Sequence, residues 1–331
     1  MPSWLRTGLK VAVTVLILAL IATQLDFRSV GRTISTIPVP IAVATFFVML
    51  AQAMVAAKRL TMVVARFGAT FRLRDSFRIT LEGMFFSQTF VSFLGGDALR
   101  IWRIRRLGLP LTEATSAVIL DRLIGILMNH VFLLLSLPWL LSVIDDGAVR
   151  AGLLLLAVAG IAGFVAILLL AALRGRGGFL HRLRAKLPSR RLATFVVEAS
   201  SVGKHFMTQH RQLGAVMLIS CLIAVANMIV FGIILLGMGV APPVAIGCVL
   251  LVPAVLEISM LPISIAGWGL REGATVIAFG TLGVPIHQAL GSSLAFGLLG
   301  VAVSLIGGGL WLADRRTMAA ISLDGDRPNA A

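Results

Sequence analysis

Acid is scarce in this chain, with 14 Asp and Glu against 29 Lys and Arg in 331 residues, and charged residues of both signs make up only 13%. So little charge, beside 58% hydrophobic residues and a mean hydropathy of +1.00, excludes a soluble domain of ordinary makeup. Cysteine is scarcer still. Cys221 and Cys248 both lie in apolar stretches, which excludes a disulfide framework and a metal-spaced pair. The five histidines supply no metal set: His130 stands alone in an apolar run, His181, His205 and His210 share a basic loop, and His287 opens the last run. No Ser-His-Asp arrangement, paired-carboxylate motif or phosphate loop occurs, so neither catalysis nor a bound cofactor is expected. Lysine is limited to Lys10, Lys58, Lys186 and Lys204, a composition suited to a GC-rich bacterial genome.

What the chain has instead is long apolar runs. A crossing helix needs about 20 mostly apolar residues, and such runs occupy residues 8–25, 38–57, 113–143, 149–173, 213–240 and 287–312. The expectation is an all-α polytopic membrane protein. Its first run follows Arg6 and Lys10 without a convincing cleavage site, so it reads as a retained span. Basic residues set the orientation. Arg6 and Lys10, then Lys58, Arg59, Arg66, Arg72, Arg74 and Arg78, then nine Lys or Arg against the single acid Glu198 in residues 174–211 mark the cytoplasmic side. Both termini then face the cytoplasm, in a bacterial inner membrane. The net charge of +15 is explained by topology and anionic inner-leaflet lipids rather than by nucleic acid.

Two segments resist a plain crossing count. Residues 79–106 carry basic flanks at both ends and a Gly95–Gly96 pair, and residues 243–284 are interrupted by "SIAGWGLREG" with Gly267 and Gly269. Read as re-entrant hairpins, they give six full spans plus two hairpins; a rival count makes 243–262 and 264–284 two further crossings, eight spans plus one hairpin. A repeat favours two inverted-topology units. Leu107, Gly108, Pro110, Ala114, Leu123 and Gly125 recur without a gap as Leu282, Gly283, Pro285, Ala289, Leu298 and Gly300. The units are 1–173, with the connecting span 149–173 open to either, and 212–316, with its break at 264–273. A basic interfacial linker, 174–211, joins them, and a polar tail, 317–331, is expected to be disordered. Gly307, Gly308 and Gly309 permit close helix packing.

Charges at membrane depth are costly and by default face a cavity or a partner. Asp97 is placed to cap a helix that carries Arg100. Asp121 and Arg122 replace the Phe296 and Gly297 of the second repeat copy. Arg271 and Glu272 follow the second break, beside Trp268 as platform or gate. Glu257 is expected either to carry a proton or to pair with Arg122 or Arg271. Glu82 and Gln88 read as polar lining.

At "GGDALRIWRIRRLGLPLTEATSAVILDRLIG" and "SIAGWGLREGA" the chain resembles the integral membrane family that includes the transmembrane region of lysylphosphatidylglycerol synthases and stand-alone flippase-like proteins. The resemblance implies movement of charged lipids or lipid-linked sugars between leaflets. It also supports Asp97, Arg100, Asp121, Arg122, Trp268, Arg271 and Glu272 as site positions. The family's acid-Arg pair usually holds Glu where this chain has Asp121. No aminoacyl-transfer domain follows Arg316, so synthesis of the lysyl-lipid is not expected. Two other functions fit the same residues: a scaffold for a glycosyltransferase or lipid-modifying enzyme, docked on 174–211, and a proton-coupled exporter of a small anion.

Overall fold

The computed structural model describes residues 27–89, 94–173, 210–261 and 267–325, and these form ten helices joined by turns, with no strand among the described residues. The helices are α1 (Phe27–Ser35), α2 (Val39–Ala65), α3 (Leu73–Thr89), α4 (Leu94–Arg106) and α5 (Leu111–Val143), followed by α6 (Gly147–Leu173), α7 (His210–Gly237), α8 (Pro242–Ser259), α9 (Leu270–Gly280) and α10 (Ile286–Gly325). Six of them are long and apolar enough to cross a membrane: α2, α5, α6, α7, α8 and α10. Five match expected spans, and the expected span at 8–25 lies outside the described residues, as does most of the linker 174–211. The sixth is α8, which the rival count makes a crossing of its own. Large apolar side chains on α6 stand open, Leu155 at 71% exposure, the face that hydrocarbon would cover.

The sequence repeat is a helix stop and restart. Gly108 and Gly283 both take positive φ, +103° and +79°, which glycine adopts without steric cost. Around each, the same pair of hydrogen bonds closes the preceding helix: the Gly108 and Leu109 amides donate to the Arg105 and Ile104 carbonyls, and the Gly283 and Val284 amides donate to the Gly280 and Phe279 carbonyls. This is the glycine-terminated C-cap. Pro110 and Pro285 then precede the first residues of α5 and α10, where a missing amide donor costs nothing.

Helix packing follows one rule of exchange. α2 packs on α7; α3 packs on α2, α4 and α10, while α8 packs on α7, α9 and α5. α4 touches α5 as α9 touches α10, and α1 rests on α10 as α6 rests on α5. Replacing each helix from α1 to α5 by the one five places later, and the reverse, returns the same set. The close approaches depend on glycine. A Cβ on Gly307 would strike the backbone of Leu81, and one on Gly308 would lie 2.8 Å from the Phe85 ring. The glycine run of α10 therefore seats it on α3 within this chain.

Three differences from the expected layout have local causes. Gly95 and Gly96 lie inside the first turn of α4 rather than in a break; residues 90–93, between α3 and α4, lie outside the described residues. Gly96 serves close packing, because a Cβ there would strike the Gly83 carbonyl and the Ser87 hydroxyl. Asp97 likewise sits within that turn, not at the N-cap. Finally, α10 runs past Met318 to Gly325, since "MAAISLD" has no helix stop before that glycine; residues 326–331 lie outside the described set.

Glu82 is not cavity lining but a buried tie between α3, α4 and α10. It is fully buried, and its carboxylate accepts from Arg78 Nε at 2.9 Å and from Arg103 Nε and Nη2 at 2.7 and 2.8 Å. Arg103 also donates to Asp314 at 2.7 Å. Removing one member of such a network strands buried charge, at a cost of about 3–5 kcal/mol. Glu82→Ala should therefore lower the Tm of the detergent-solubilised protein well beyond Glu113→Ala, and equal melting of the two variants would remove the structural role given to Glu82.

Candidate functional site

Polar residues recur at helical spacing on three apolar spans. On α2 they are Gln52 and Arg59, on α5 Asp121, Arg122 and Asn129, and on α7 Ser220 and Asn227. Residues three, four and seven apart share one helix face, and the packing of α2, α5 and α7 turns these faces inward. Together with α3, α4, α8 and α10 they line a cavity of 410 Å³. Its charged lining is Arg59, Arg100 and Arg122 against Asp97 and Asp121. Three guanidinium groups against two carboxylates leave one positive charge, in surroundings where charge is expensive.

The two carboxylates hold the arginines differently. Asp121, 2% exposed, accepts from Arg59 Nε at 2.7 Å and Nη2 at 3.2 Å and lies 3.5 Å from Arg100 Nη1. Arg59 also donates to Ser220 Oγ at 3.2 Å, so this group is locked across α2, α5 and α7. Asp97 pairs with Arg122, and here both side chains keep partial exposure, 20% and 27%. Arg122 is thus the most accessible arginine of the cavity; Arg59 is the most fixed.

The second break stands behind one wall of the cavity. Gly267 and Gly269 take φ of +81° and +85°, and a Cβ on Gly267 would come within 2.9 Å of the Ser259 carbonyl oxygen. The Gly269 amide donates to Glu272 Oε2 at 2.6 Å, which stops α9 at its first residue. Glu272 Oε1 accepts from Arg271 Nη2 at 2.6 Å and from Ser293 Oγ at 3.1 Å. The Arg271 guanidinium lies over the Trp268 ring at 4.8 Å and the Phe296 ring at 5.6 Å, and Trp268 Nε1 donates to Gln88 at 3.4 Å. Phe296 and Gln88 line the cavity; Trp268, Arg271 and Glu272 support them from behind.

The repeat explains why Arg271 fits there. Gly297 occupies the position that Arg122 holds in the first copy, and a Cβ on it would strike Arg271 Nη2 and approach Trp268 to 2.8 Å. One copy projects an arginine from its span; the other leaves a gap that a neighbouring helix fills with one. A model of the lysylphosphatidylglycerol synthase TM region matches residues 8–308, nearly the whole chain. The chain belongs to this family. No curated protein matches it.

This member of the lysylphosphatidylglycerol synthase TM-region family is a multi-pass membrane protein. Of its expected site residues, Asp97, Arg100, Asp121 and Arg122 converge on the cavity. Glu257 does not pair with Arg122 or Arg271: its carboxylate lies 3.1 and 3.2 Å from His130 Nδ1, because α8 packs on α5 and brings that face of α5 to it. Two residues went unread in the sequence. His130 looked isolated because its partner is 127 positions away. Arg59 reads as a cytoplasmic flanking charge, yet α2 continues to Ala65 and buries it. The spacing of Gln52, Ala56 and Arg59 carried the signal.

Proposed function

We propose that this protein moves a phosphate-bearing lipid between leaflets, with the phosphate held by Arg122 and Arg100 in the cavity. The observation that carries this reading is the net positive charge lining a 410 Å³ cavity between apolar helices. Guanidinium groups recognise phosphate in bidentate geometry. Asp97 holds Arg122 between substrates, and the amides Gln52, Gln88, Asn129 and Asn227 offer neutral contacts to a glycerol, amino acid or sugar headgroup. The substrate is a phospholipid, an aminoacylated phospholipid or a polyprenyl-phosphate-linked sugar.

Two inverted-topology units with re-entrant hairpins suit this work. At about 1.5 Å per residue, α4 and α9 extend roughly 20 and 17 Å, short of a hydrocarbon core of about 30 Å. The exchange rule in helix packing supports the paired units. The exchange sets α1–α5 against α6–α10, so α3 with α4 corresponds to α8 with α9, and α3 packs on α10 as α8 packs on α5, the last helix of the opposite group; α8 by itself is long enough to cross. In this reading both termini are cytoplasmic, the membrane is the bacterial inner membrane, and the protein performs no chemistry on the lipid.

Proteoliposomes of the purified protein test it, with fluorescent zwitterionic, anionic and aminoacylated phospholipids and a polyprenyl-phosphate sugar as probes. Headgroup-selective leaflet exchange is the expected result. Folded protein that exchanges none of them, with and without a proton gradient, would leave a scaffold for a lipid-modifying enzyme as the better reading.

A further inference from the structure

A second cavity of 300 Å³ lies beside the first and shares Ile126 and Met260 with it. It is a cleft between α5 and α6, walled by Leu127, Leu156, Phe164 and Ile167. Its two titratable lining residues, His130 and Glu257, are turned to each other at 3.1 Å, and His130 Nε2 faces the Ala157 carbonyl at 3.2 Å. Their polar atoms are therefore taken up within the protein, and what the cleft offers an occupant is hydrocarbon. Gly160 makes room for this pair, since a Cβ there would strike the His130 ring; Gly163, one turn on, faces open space. α6 rests on α5 and carries exposed leucine and valine along its outer face.

We infer that this cleft takes a hydrocarbon chain of the same lipid whose phosphate enters the arginine cavity. The inference rests on the transport reading for its headgroup site and adds the path of the chain. A lipid whose headgroup sits among the arginines must keep its tails in an apolar phase, and the cleft is the apolar space that adjoins that cavity, Ile126 and Met260 lining both. Hydrocarbon gains little on leaving a bilayer for leucine side chains, both being equally apolar. The cleft therefore adds little affinity. It acts on passage: a headgroup can cross only as far as its chain can follow along α5 and α6.

Gly163 provides the test, because it lines the cleft and a Cβ there meets no protein atom within 4 Å, so a larger side chain can be started from it toward the space the chain would occupy. Gly152, also on α6 and equally open but not among the cleft residues, serves as control. The probe is a phosphatidylglycerol with a diazirine near the end of one acyl chain, in phosphatidylcholine nanodiscs, with crosslinked residues read by mass spectrometry. Expected is labelling at Leu127 and Phe164 that falls about tenfold in Gly163→Trp, the indole taking the space of the chain, equivalent to about 1.4 kcal/mol against its entry, and that falls also in Arg122→Ala. Labelling of the outward Leu155 and Val158 should persist in both variants, and Gly152→Trp should match the parent protein. Cleft labelling indifferent to both substitutions would mean annular lipid and overturn the inference, as would normal leaflet exchange by Gly163→Trp. Headgroup-dependent cleft labelling in a protein that exchanges no lipid would uphold the chain site while ending the transport reading.

Discussion

Arg122→Ala should slow exchange of an anionic phospholipid by about 10- to 100-fold while leaving the protein folded. A hydrogen bond to a charged group contributes about 1.5–3 kcal/mol, and 1.4 kcal/mol corresponds to a factor of ten. The fold should tolerate this loss better than loss of Asp121, because the Arg122–Asp97 pair keeps 27% and 20% exposure whereas the Asp121 side chain keeps 3%. Arg122→Lys should fall between the two, keeping the charge without the planar fork. The measurement is the initial rate of leaflet exchange at matched protein density, with Tm recorded on the same samples. A normal rate in Arg122→Ala would remove this residue from the phosphate site; a lost fold would make it a structural pair instead.

Asp121→Ala should do the opposite, unfolding the protein before transport can be assessed. Its carboxylate is the shared partner of Arg59 and Arg100, and Arg59 is itself only 9% exposed. Alanine at this position strands a buried guanidinium between α2 and α7. Breaking a buried pair from one side costs about 3–5 kcal/mol, a large part of the roughly 5–15 kcal/mol that holds a domain together. The double replacement Arg59→Met with Asp121→Leu removes both charges and should recover most of the stability, since well-packed apolar substitutes for buried pairs are often neutral. It should not recover full transport, because Arg100 then loses its anchor. Equal Tm for Asp121→Ala and the parent, measured in detergent, would show that Arg59 has another partner. The adjacent residues Asp121 and Arg122 thus have separate duties, which is natural on a helix, where neighbours in sequence point in different directions.

Much of the candidate site was legible at the level of residue type. Asp97, Arg100, Asp121 and Arg122 were marked by the cost of charge within apolar runs, and they do line one cavity. Pairing was not legible. Glu257 faces His130 across 127 positions and Asp121 faces Arg59 across 62; no local pattern relates such residues, because the separation that matters is set by which helices pack. Arg59 shows the other limit. A basic residue near the end of an apolar run reads as an anchor, and only the continuation of α2 to Ala65 places it inside.

The sequence by itself determined the solvent and the punctuation of this protein. Its apolar runs are too long and too poorly charged for water, and Gly108–Pro110 and Gly283–Pro285 stop and restart helices through local backbone geometry alone. Those outcomes depend on neighbouring residues, so they can be read along the chain. Tertiary structure decided which buried charges meet, that Gly307 and Gly308 seat α10 on α3, and that the space beside Gly297 belongs to Arg271. Each depends on contacts between helices distant in sequence. In an interior this apolar, the packing of helices sets where an arginine finds its carboxylate.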